Sequence, residues 1–563
     1  MKKNKTYVLF ISMFATFVLA NTPSFAQKPI DTTTIITVKP YDPVLSDAFK
    51  IKEHPTIQDT DKVIPKLSYT FINKQVPVDF QVENILPAKI KGEPLVKLYR
   101  GYAKAGFGSQ TTPLAELYFN SQRSKEFSYG FFGKHQSSSG ISNIDYSEYS
   151  DNHLSLFGKR FLKEFTLYSK LNFDRNMVHY YGFPEKIKPE ITNGKELRQR
   201  LTKLSANAGL TRNFTDSAQF DYNFDINYHH IFDIHNAEEN NLRLDGSLSK
   251  YHKRELYAID AEVNYNNLNN VLDLGNTLMV GLRPYIKTSA KSWQFKVGLG
   301  LYVNQADSVS KFHFYPEAEF KYNVVENIII PYVGIKGGIL ANNLNSYFTE
   351  NPFINTKTLA VANTNQKYNI YIGIRGSLSK HVTFNTSFSK QKLETMPLYV
   401  KDFSNVLENQ FTVLYDTVGL NQISGELAYQ KLEKLKIIVR GDYFDYSPAN
   451  ELKAWHKPNM KISLSGIYDL SDKIIVRTDL FFINKQYAKA FNTITDASGV
   501  IVTTEEAKEL KGVFDANLGV EYRYTKKLSA FINFNNIGAV RYQKFEDYPT
   551  QRFNVLGGLT YSF

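Results

Sequence analysis

Apolar and polar positions alternate along this chain with a period of two. The clearest run is Phe220-Asp221-Tyr222-Asn223-Phe224-Asp225-Ile226-Asn227-Tyr228-His229. A strand sends successive side chains to opposite faces, so one face of this segment is apolar and the other polar. The same pattern places Tyr257, Ile259, Ala261, Val263 and Tyr265 opposite Asp260, Glu262 and Asn264. It sets Val382, Phe384, Thr386 and Phe388 against Thr383, Asn385, Ser387 and Ser389. A soluble sandwich shows such a strand once or twice, whereas here it recurs about twenty times from Leu98 onward. The predicted class is all-β: a transmembrane antiparallel barrel of about 22 strands, apolar side chains toward lipid and polar ones toward a wet lumen.

The connections support that reading. One set is tight, as at Leu162-Lys163-Glu164, Phe214-Thr215-Asp216-Ser217, Ser379-Lys380-His381, Leu432-Glu433-Lys434 and Ser471-Asp472-Lys473. The other set is mostly longer: Ser137 to Asn152, Tyr180 to Arg200, Asn342 to Gln366, Gln391 to Leu420 and Gln486 to Leu510. Short turns on one rim and long loops on the other describe an outer-membrane barrel, periplasmic side and cell-surface side respectively. Pro284, Pro316 and Pro331 run against the pattern. Proline removes a ladder donor, so bulges or shifted strand ends are expected there.

The N-terminal part reads differently. Met1-Lys2-Lys3-Asn4-Lys5, an apolar run from Tyr7 to about Ala20 and Ser24-Phe25-Ala26 have the order of a secretory signal, with cleavage expected after Ala26. From 27 to 95 the chain is dense in proline (Pro29, Pro40, Pro43, Pro55, Pro65, Pro77, Pro87, Pro94) with little alternation, and an extended periplasmic arm or lumenal segment is expected. The expected divisions are therefore 1–26, 27–95 and the barrel, 96–563. Within the arm, Asp31-Thr32-Thr33-Thr34-Ile35-Ile36-Thr37-Val38 is short and β-prone. It is either an extended linker or a peptide that adds as a strand to a partner's sheet edge.

Composition changes the picture little. The chain has 41 Phe, 37 Tyr, 2 Trp and no cysteine, which suits a barrel and excludes a disulfide-stapled domain. The formal charge of +12 comes from Lys and Arg scattered over turns and strands, so no nucleic-acid partner is expected. Asp221, Asp225, Asp260, Glu262, Glu317, Glu319, Lys321, Arg375, Arg440, Asp442, Arg477 and Asp479 are expected on the lumen face. Asp221 with Asp225 is a formal acid/base pair, but lumen carboxylates facing water or each other are far commoner. Asp145, Glu148 and Asp151 are too sparse for a calcium loop. His229, His230 and His235, before Glu238 and Glu239, read as solvated loop histidines sooner than a metal site. No hydrolase, nucleotide-binding or metalloprotease motif occurs. Neither catalysis nor a cofactor nor a metal is expected. Tyr228, Tyr265, Tyr446 and Tyr542 are assigned to interfacial girdles.

The end of the chain carries a resemblance. Phe531-Ile532-Asn533-Phe534-Asn535-Asn536-Ile537 is followed by Tyr542, Tyr548-Pro549 and Arg552. A last strand then sets Phe553, Val555, Gly557, Leu559, Tyr561 and Phe563 on one face. This resembles the closing hairpin of the TonB-dependent outer-membrane receptors, and Asp31 to Val38 resembles their energy-coupling box. The resemblance implies ligand uptake across the outer membrane of a Gram-negative cell. It also implies a plug in the lumen, yet about 70 residues between signal and first strand are few for a globular plug. The partners expected are outer-membrane lipid, the barrel assembly machinery, and a TonB-type energy transducer or another outer-membrane or periplasmic protein. The alternative is a non-transporting structural or assembly subunit of an outer-membrane complex.

Overall fold

A computed structural model describes residues 99–184, 194–212, 219–269, 275–307, 309–326, 328–495 and 501–563. The expected signal, the arm and the Asp31–Val38 run lie outside the described residues.

Twenty-two antiparallel strands form one sheet, each paired with its sequence neighbours. The first strand, Gly101–Gly108, also pairs with the last, Asn554–Ser562, through Gly106↔Gly558 and its neighbours. The sheet is thus closed and has no free edge. No helix among the described residues is long and apolar enough to cross a membrane. The crossing elements are strands, whose apolar faces cover the outer wall.

The wall follows from the two-residue period. Ile370, Ile372 and Ile374 of strand Thr364–Ser379 point outward and are exposed, while Tyr371 between them turns inward and donates to Glu319 at 2.9 Å. Leu242, Leu248, Tyr257, Ile259 and Tyr265 are exposed in the same way. An aqueous surface of this kind is unfavourable at roughly 25 cal/mol per Å², so the outer face belongs in hydrocarbon. The inner wall is laced with charge pairs: Lys296–Glu317 at 2.6 Å, Lys321–Glu319 at 2.5 Å, Arg440–Asp442 at 2.8 Å and Arg477–Glu521 at 3.0 Å. Asp225 accepts from Asn223 at 2.7 Å and Asp479 from Ser465 at 2.6 Å. These carboxylates are partnered, which suits wall structure better than acid/base work.

Several sequence-based expectations need correction. Strands run through all three prolines with no bulge at them. Pro284 pairs with Ile259, Pro316 with Leu299 and Pro331 with Ile374. Proline removes rungs but leaves the register intact: the Asn276–Ser289 ladder omits only the rungs between Leu282↔Leu301 and Tyr285↔Gly298. Bulges fall elsewhere, between Lys336 and Gly338, Gln366 and Tyr368, Ser377 and Ser379, and Leu393 and Met396. Gln391 to Leu420 is mostly strand, not loop, because Val382–Lys401 and Phe411–Lys431 are 20 and 21 residues long. About 9–11 residues cross a bilayer, so these strands rise well above it. Gln486–Thr495 and Ile501–Leu510 form a separate hairpin within a loop. Of the girdle tyrosines, Tyr228 and Tyr265 are exposed on the outer wall. Tyr446 instead packs with Leu398 and Trp455, and Tyr542 sits in a loop edge-on to Phe481.

Closure depends on a narrow contact. A Cβ on Gly558 would meet the Ala105 carbonyl oxygen at 2.1 Å and Gly106 Cα at 2.6 Å. Gly558→Val is expected to destabilise the folded barrel by at least about 2 kcal/mol. The check is loss of the compact, fast-migrating band on an unheated gel.

Candidate functional site: a loop cap across the cell-surface mouth

By the rule of short periplasmic turns, the rim carrying Ser379–Val382 and Lys431–Leu435 faces the periplasm. The opposite rim, the cell-surface mouth, is bridged. Tyr180 follows the fifth strand, Phe165–His179. Asn409 lies in the connection before the sixteenth, Phe411–Lys431, half-way round the ring. Asn409 Nδ2 nevertheless donates to the Tyr180 carbonyl at 2.7 Å. Tyr180 Oη donates to the Ile354 carbonyl at 3.0 Å, and Tyr548 Oη donates to the Asn409 carbonyl. Loops from four parts of the chain therefore meet over the lumen.

An apolar core holds them. Leu201, Ile231 and Leu268 come from the inner wall of one side. Leu344, Tyr347, Phe348, Ile354 and Leu359 come from the 341–363 loop, Tyr399 and Phe411 from the opposite wall, and Phe545 and Tyr548 from the last loop. The Phe353 and Tyr548 rings stack at 3.7 Å, and Phe411 lies 5.5 Å from Phe545. Each large buried side chain contributes roughly 1.5–3 kcal/mol.

Polar anchors set the geometry. A short helix, Leu344–Glu350, is capped by Asn343, whose side chain accepts from Ser346 N while Ser346 Oγ accepts from Asn343 N. Fully buried Glu239 stands at its N-terminus. Its carboxylate accepts from Leu344 N at 2.6 Å, Asn266 Nδ2 at 3.2 Å and His229 Nε2 at 3.1 Å. Such a charge is tolerated only when its oxygens are partnered. Asp233 accepts from Gln199 at 2.9 Å, from Thr356 Oγ1 and from Ala237 N at 2.9 Å. Truncating Glu239 to alanine is expected to free the 341–363 loop at a local cost of about 3–5 kcal/mol. Faster protease cleavage in that loop, with the barrel still heat-modifiable, is the readout.

His456 is buried in the same region. Its Nδ1 donates to the Tyr399 carbonyl at 2.8 Å and its Nε2 accepts from Glu546 N at 3.3 Å, which defines a neutral tautomer. Burial depresses its pKa to about 4, and nearby Lys457 and Lys401 act in the same direction.

Beside the cap lies a polar cleft of about 740 Å³, lined by Lys401, Lys489, Lys508, Glu509, Arg541 and Asp547 among others. Three of its lysines are engaged: Lys401 pairs with Asp547, Lys508 with Glu546 at 2.7 Å and Lys489 with Glu451 at 2.7 Å. These pairs tie the loops together.

The histidines differ from expectation. His229 and His230 lie in strand Asp221–Asp233, and His229 faces Glu239 instead of solvent. Asp151 lies in strand Tyr149–Phe161 and accepts from Asn176, apart from a calcium-type cluster. Among the described residues no group of three or more metal-ligating side chains is present. At the closing seam, Leu559, Tyr561 and Phe563 are exposed on the outer wall; Phe553 precedes the strand. Tyr180, Asp233, Phe411, His456 and Phe545 carry no local signal in the sequence, and Glu239 and Tyr548 carry none for a role in a cap. The available signal is regional: apolar density in segments that read as loops, such as Phe403, Phe411 and Trp455.

The fold is that of the outer-membrane TonB-dependent receptors, in its barrel part. No protein-family model matches the sequence, and no curated protein matches it either. Solved structures do resemble it. The FrpB iron transporter from Neisseria meningitidis aligns with TM-score 0.62 at 11% identity, over 83% of this chain and 82% of that one. The ferripyoverdine receptor of the outer membrane of Pseudomonas aeruginosa aligns at 0.60 and 13% identity, over 83% and 72%. The ferric-catecholate import receptor Fiu from E. coli aligns at 0.59 and 11%, over 83% and 82%.

Proposed function

We propose that this chain is an outer-membrane uptake receptor of the TonB-dependent type, a transporter and not an enzyme. The observation that carries the reading is the loop cap. A 22-stranded ring whose cell-surface mouth is bridged from opposite walls suits a gated receptor better than an open pore. The similar structures are named for iron, ferripyoverdine and ferric catecholate. Their names support transport as the general activity, and no particular cargo is assigned to this chain.

In this reading residues 27–95 act as a reduced plug and Asp31–Val38 engages a periplasmic energy transducer by strand addition. Deleting Asp31–Val38 from the full chain is expected to abolish energised uptake while barrel assembly and surface display persist. Unchanged uptake and growth after that deletion would remove energy coupling and favour the structural-subunit reading. A stable partner retained through mild-detergent purification would then identify the complex.

A further inference from the structure

One seam of the barrel is unlike the rest. Strands Val309–Tyr322 and Ile330–Leu340 share only four registered pairs, from Ala318↔Ile335 to Lys321↔Tyr332, although the shorter strand has 11 residues. The next shortest seam keeps six pairs on a strand of eight, and the longest keeps eighteen. The pairing that remains is at the periplasmic end. Toward the cell surface Pro316 can donate to neither neighbour, and the facing strand carries Gly337, Gly338 and the bulge after Lys336. A missing ladder is costly in hydrocarbon, because every backbone polar group there needs a partner.

The two faces of this gap are also unusual. Outside, Phe312 and Phe314 are 68% and 55% exposed. Inside, Met279, Tyr302, Tyr315 and Ile339 form a buried apolar cluster separate from the core of the cap. Tyr302 and Tyr315 meet edge-on at 5.6 Å. Tyr302 Oη donates to Glu262 at 2.7 Å, and Tyr315 Oη to Asn365 at 2.5 Å. Tyr315 lies where a Cβ on Gly337 would sit, 2.4 Å from its ring. Tyr315, bonded across the gap to Asn365 of strand Thr364–Ser379, latches it from within, with Tyr302 packed edge-on behind it.

We propose that this seam is a lateral portal between the outer leaflet and the lumen for a single-chain amphiphile with an anionic head, such as a long-chain carboxylate. The tail meets Met279, Tyr302, Tyr315 and Ile339. The head meets Lys311 and Lys336. Lys311 registers with Asn304, whose side chain reaches Asn363 inside, and Lys336 registers with Asn369, on the face of Tyr371. Neither lysine has an ion-pair partner among the described residues. A sideways route also fits a barrel whose mouth is bridged. The strand that leaves the gap at Leu340 runs directly into the cap loop, so opening one loosens the other. The inward direction of flow rests on the uptake reading; the portal does not.

The chain has no cysteine, so the seam can be locked selectively. Tyr315→Cys with Gly337→Cys spans the gap, and Ser389→Cys with Gln422→Cys spans an intact registered pair as control. The full-length protein in phospholipid vesicles is exposed to a palmitate carrying a photoreactive tail, or to the matching uncharged alcohol. Palmitate labelling of the Met279, Tyr302 and Ile339 peptides is expected in reduced protein, to be lost on oxidation of the seam pair and kept on oxidation of the control. Lys311→Gln with Lys336→Gln is expected to weaken palmitate labelling and leave the alcohol's unchanged. Labelling confined to Phe312 and Phe314, unaltered by oxidation, would overturn the portal. Amide exchange over Lys336–Leu340 in the unmodified protein provides a second test. Protection equal to that of Ile370–Ile374 would also overturn it. Deleting Asp31–Val38 leaves this labelling intact, so loss of energised uptake and loss of the portal are separate outcomes.

Discussion

Replacing Tyr548 with alanine is expected to release the loop cap while the barrel stays folded. Tyr548 is buried, stacks on Phe353 at 3.7 Å and lies 4.8 Å from Tyr181. Its hydroxyl donates to the carbonyl of Asn409, the loop residue whose side chain also holds Tyr180. Truncating a buried aromatic costs about 3–5 kcal/mol through lost transfer energy and a residual cavity. The loops depend on this core and a set of polar anchors, whereas the 22-stranded ladder has its own backbone pairing, so the loss falls on the loops. Protease cleavage of 341–363 and 536–553 at the cell surface should rise by one to two orders of magnitude, while the unheated gel band stays compact. Tyr548→Phe separates the two contributions. It keeps the stack, loses one hydrogen bond and should cost about 1 kcal/mol. Equal protease resistance in all three proteins would show that the cap does not depend on this ring.

The second large effect is acid sensitivity. His456 is neutral where it lies, wedged among Tyr399, Phe411, Phe545 and Glu546. Its folded pKa is about 4, below the ordinary 6.5, because burial disfavours the imidazolium and Lys457 and Lys401 repel it. A group whose folded pKa is depressed takes up its proton more readily once released. The cap is therefore at full strength above pH 6.5, weakens as pH falls from 6.5 to 4 and levels off below. The pKa gap corresponds to about 3 kcal/mol at most. Charged neighbours other than those lysines are Glu350, which pairs with Lys457, Asp547, which pairs with Lys401, and Glu546, which pairs with Lys508. Protease access to the cap should rise between pH 6.5 and 4 in the parent. In His456→Asn, which cannot titrate, the rise over that interval should flatten. A parent and variant with identical profiles would mean that other groups control the acid response.

Much of the wall was legible because the two-residue period is forced by strand geometry itself. Phe220 to His229 and Val382 to Ser389 read as strands since one face must meet lipid and the other water. In the first, Phe224, Ile226 and Tyr228 are exposed and the polar residues between them are half-buried; in the second, Phe388 is exposed but Val382 and Phe384 are half-buried. Where the environment stops being two-sided, the pattern stops informing. Leu398, Tyr399 and Val400 are consecutive and all buried, because the wall there is covered on both faces by Trp455 and the cap. That three-residue apolar run looks like the end of a strand, which is why Gln391 to Leu420 reads as loop. The prolines misled for a related reason. A long ladder absorbs one lost rung without shifting register, and a rule drawn from isolated edges overstates the disruption. The cap itself was hidden. Its members are far apart in sequence, as Tyr180 and Asn409 show, and no local spacing records a contact across the ring. His229 illustrates the cost: its acidic neighbour Glu239 was visible, but the helix that Glu239 receives was not.

The final join has a consequence for how the molecule is made. Ser109 Oγ accepts from Val555 N across a sequence gap of 446 residues, whereas every other seam joins neighbours along the chain. Hairpins zip locally, but closing a loop of that size costs about 5 kcal/mol of chain entropy before any rung is gained. Until it is closed, two bare strands offer their amides to anything nearby. The slow and vulnerable moment in biogenesis is thus the last one, and a helper that shields those two strands until they meet would shorten it more than one that speeds any single hairpin.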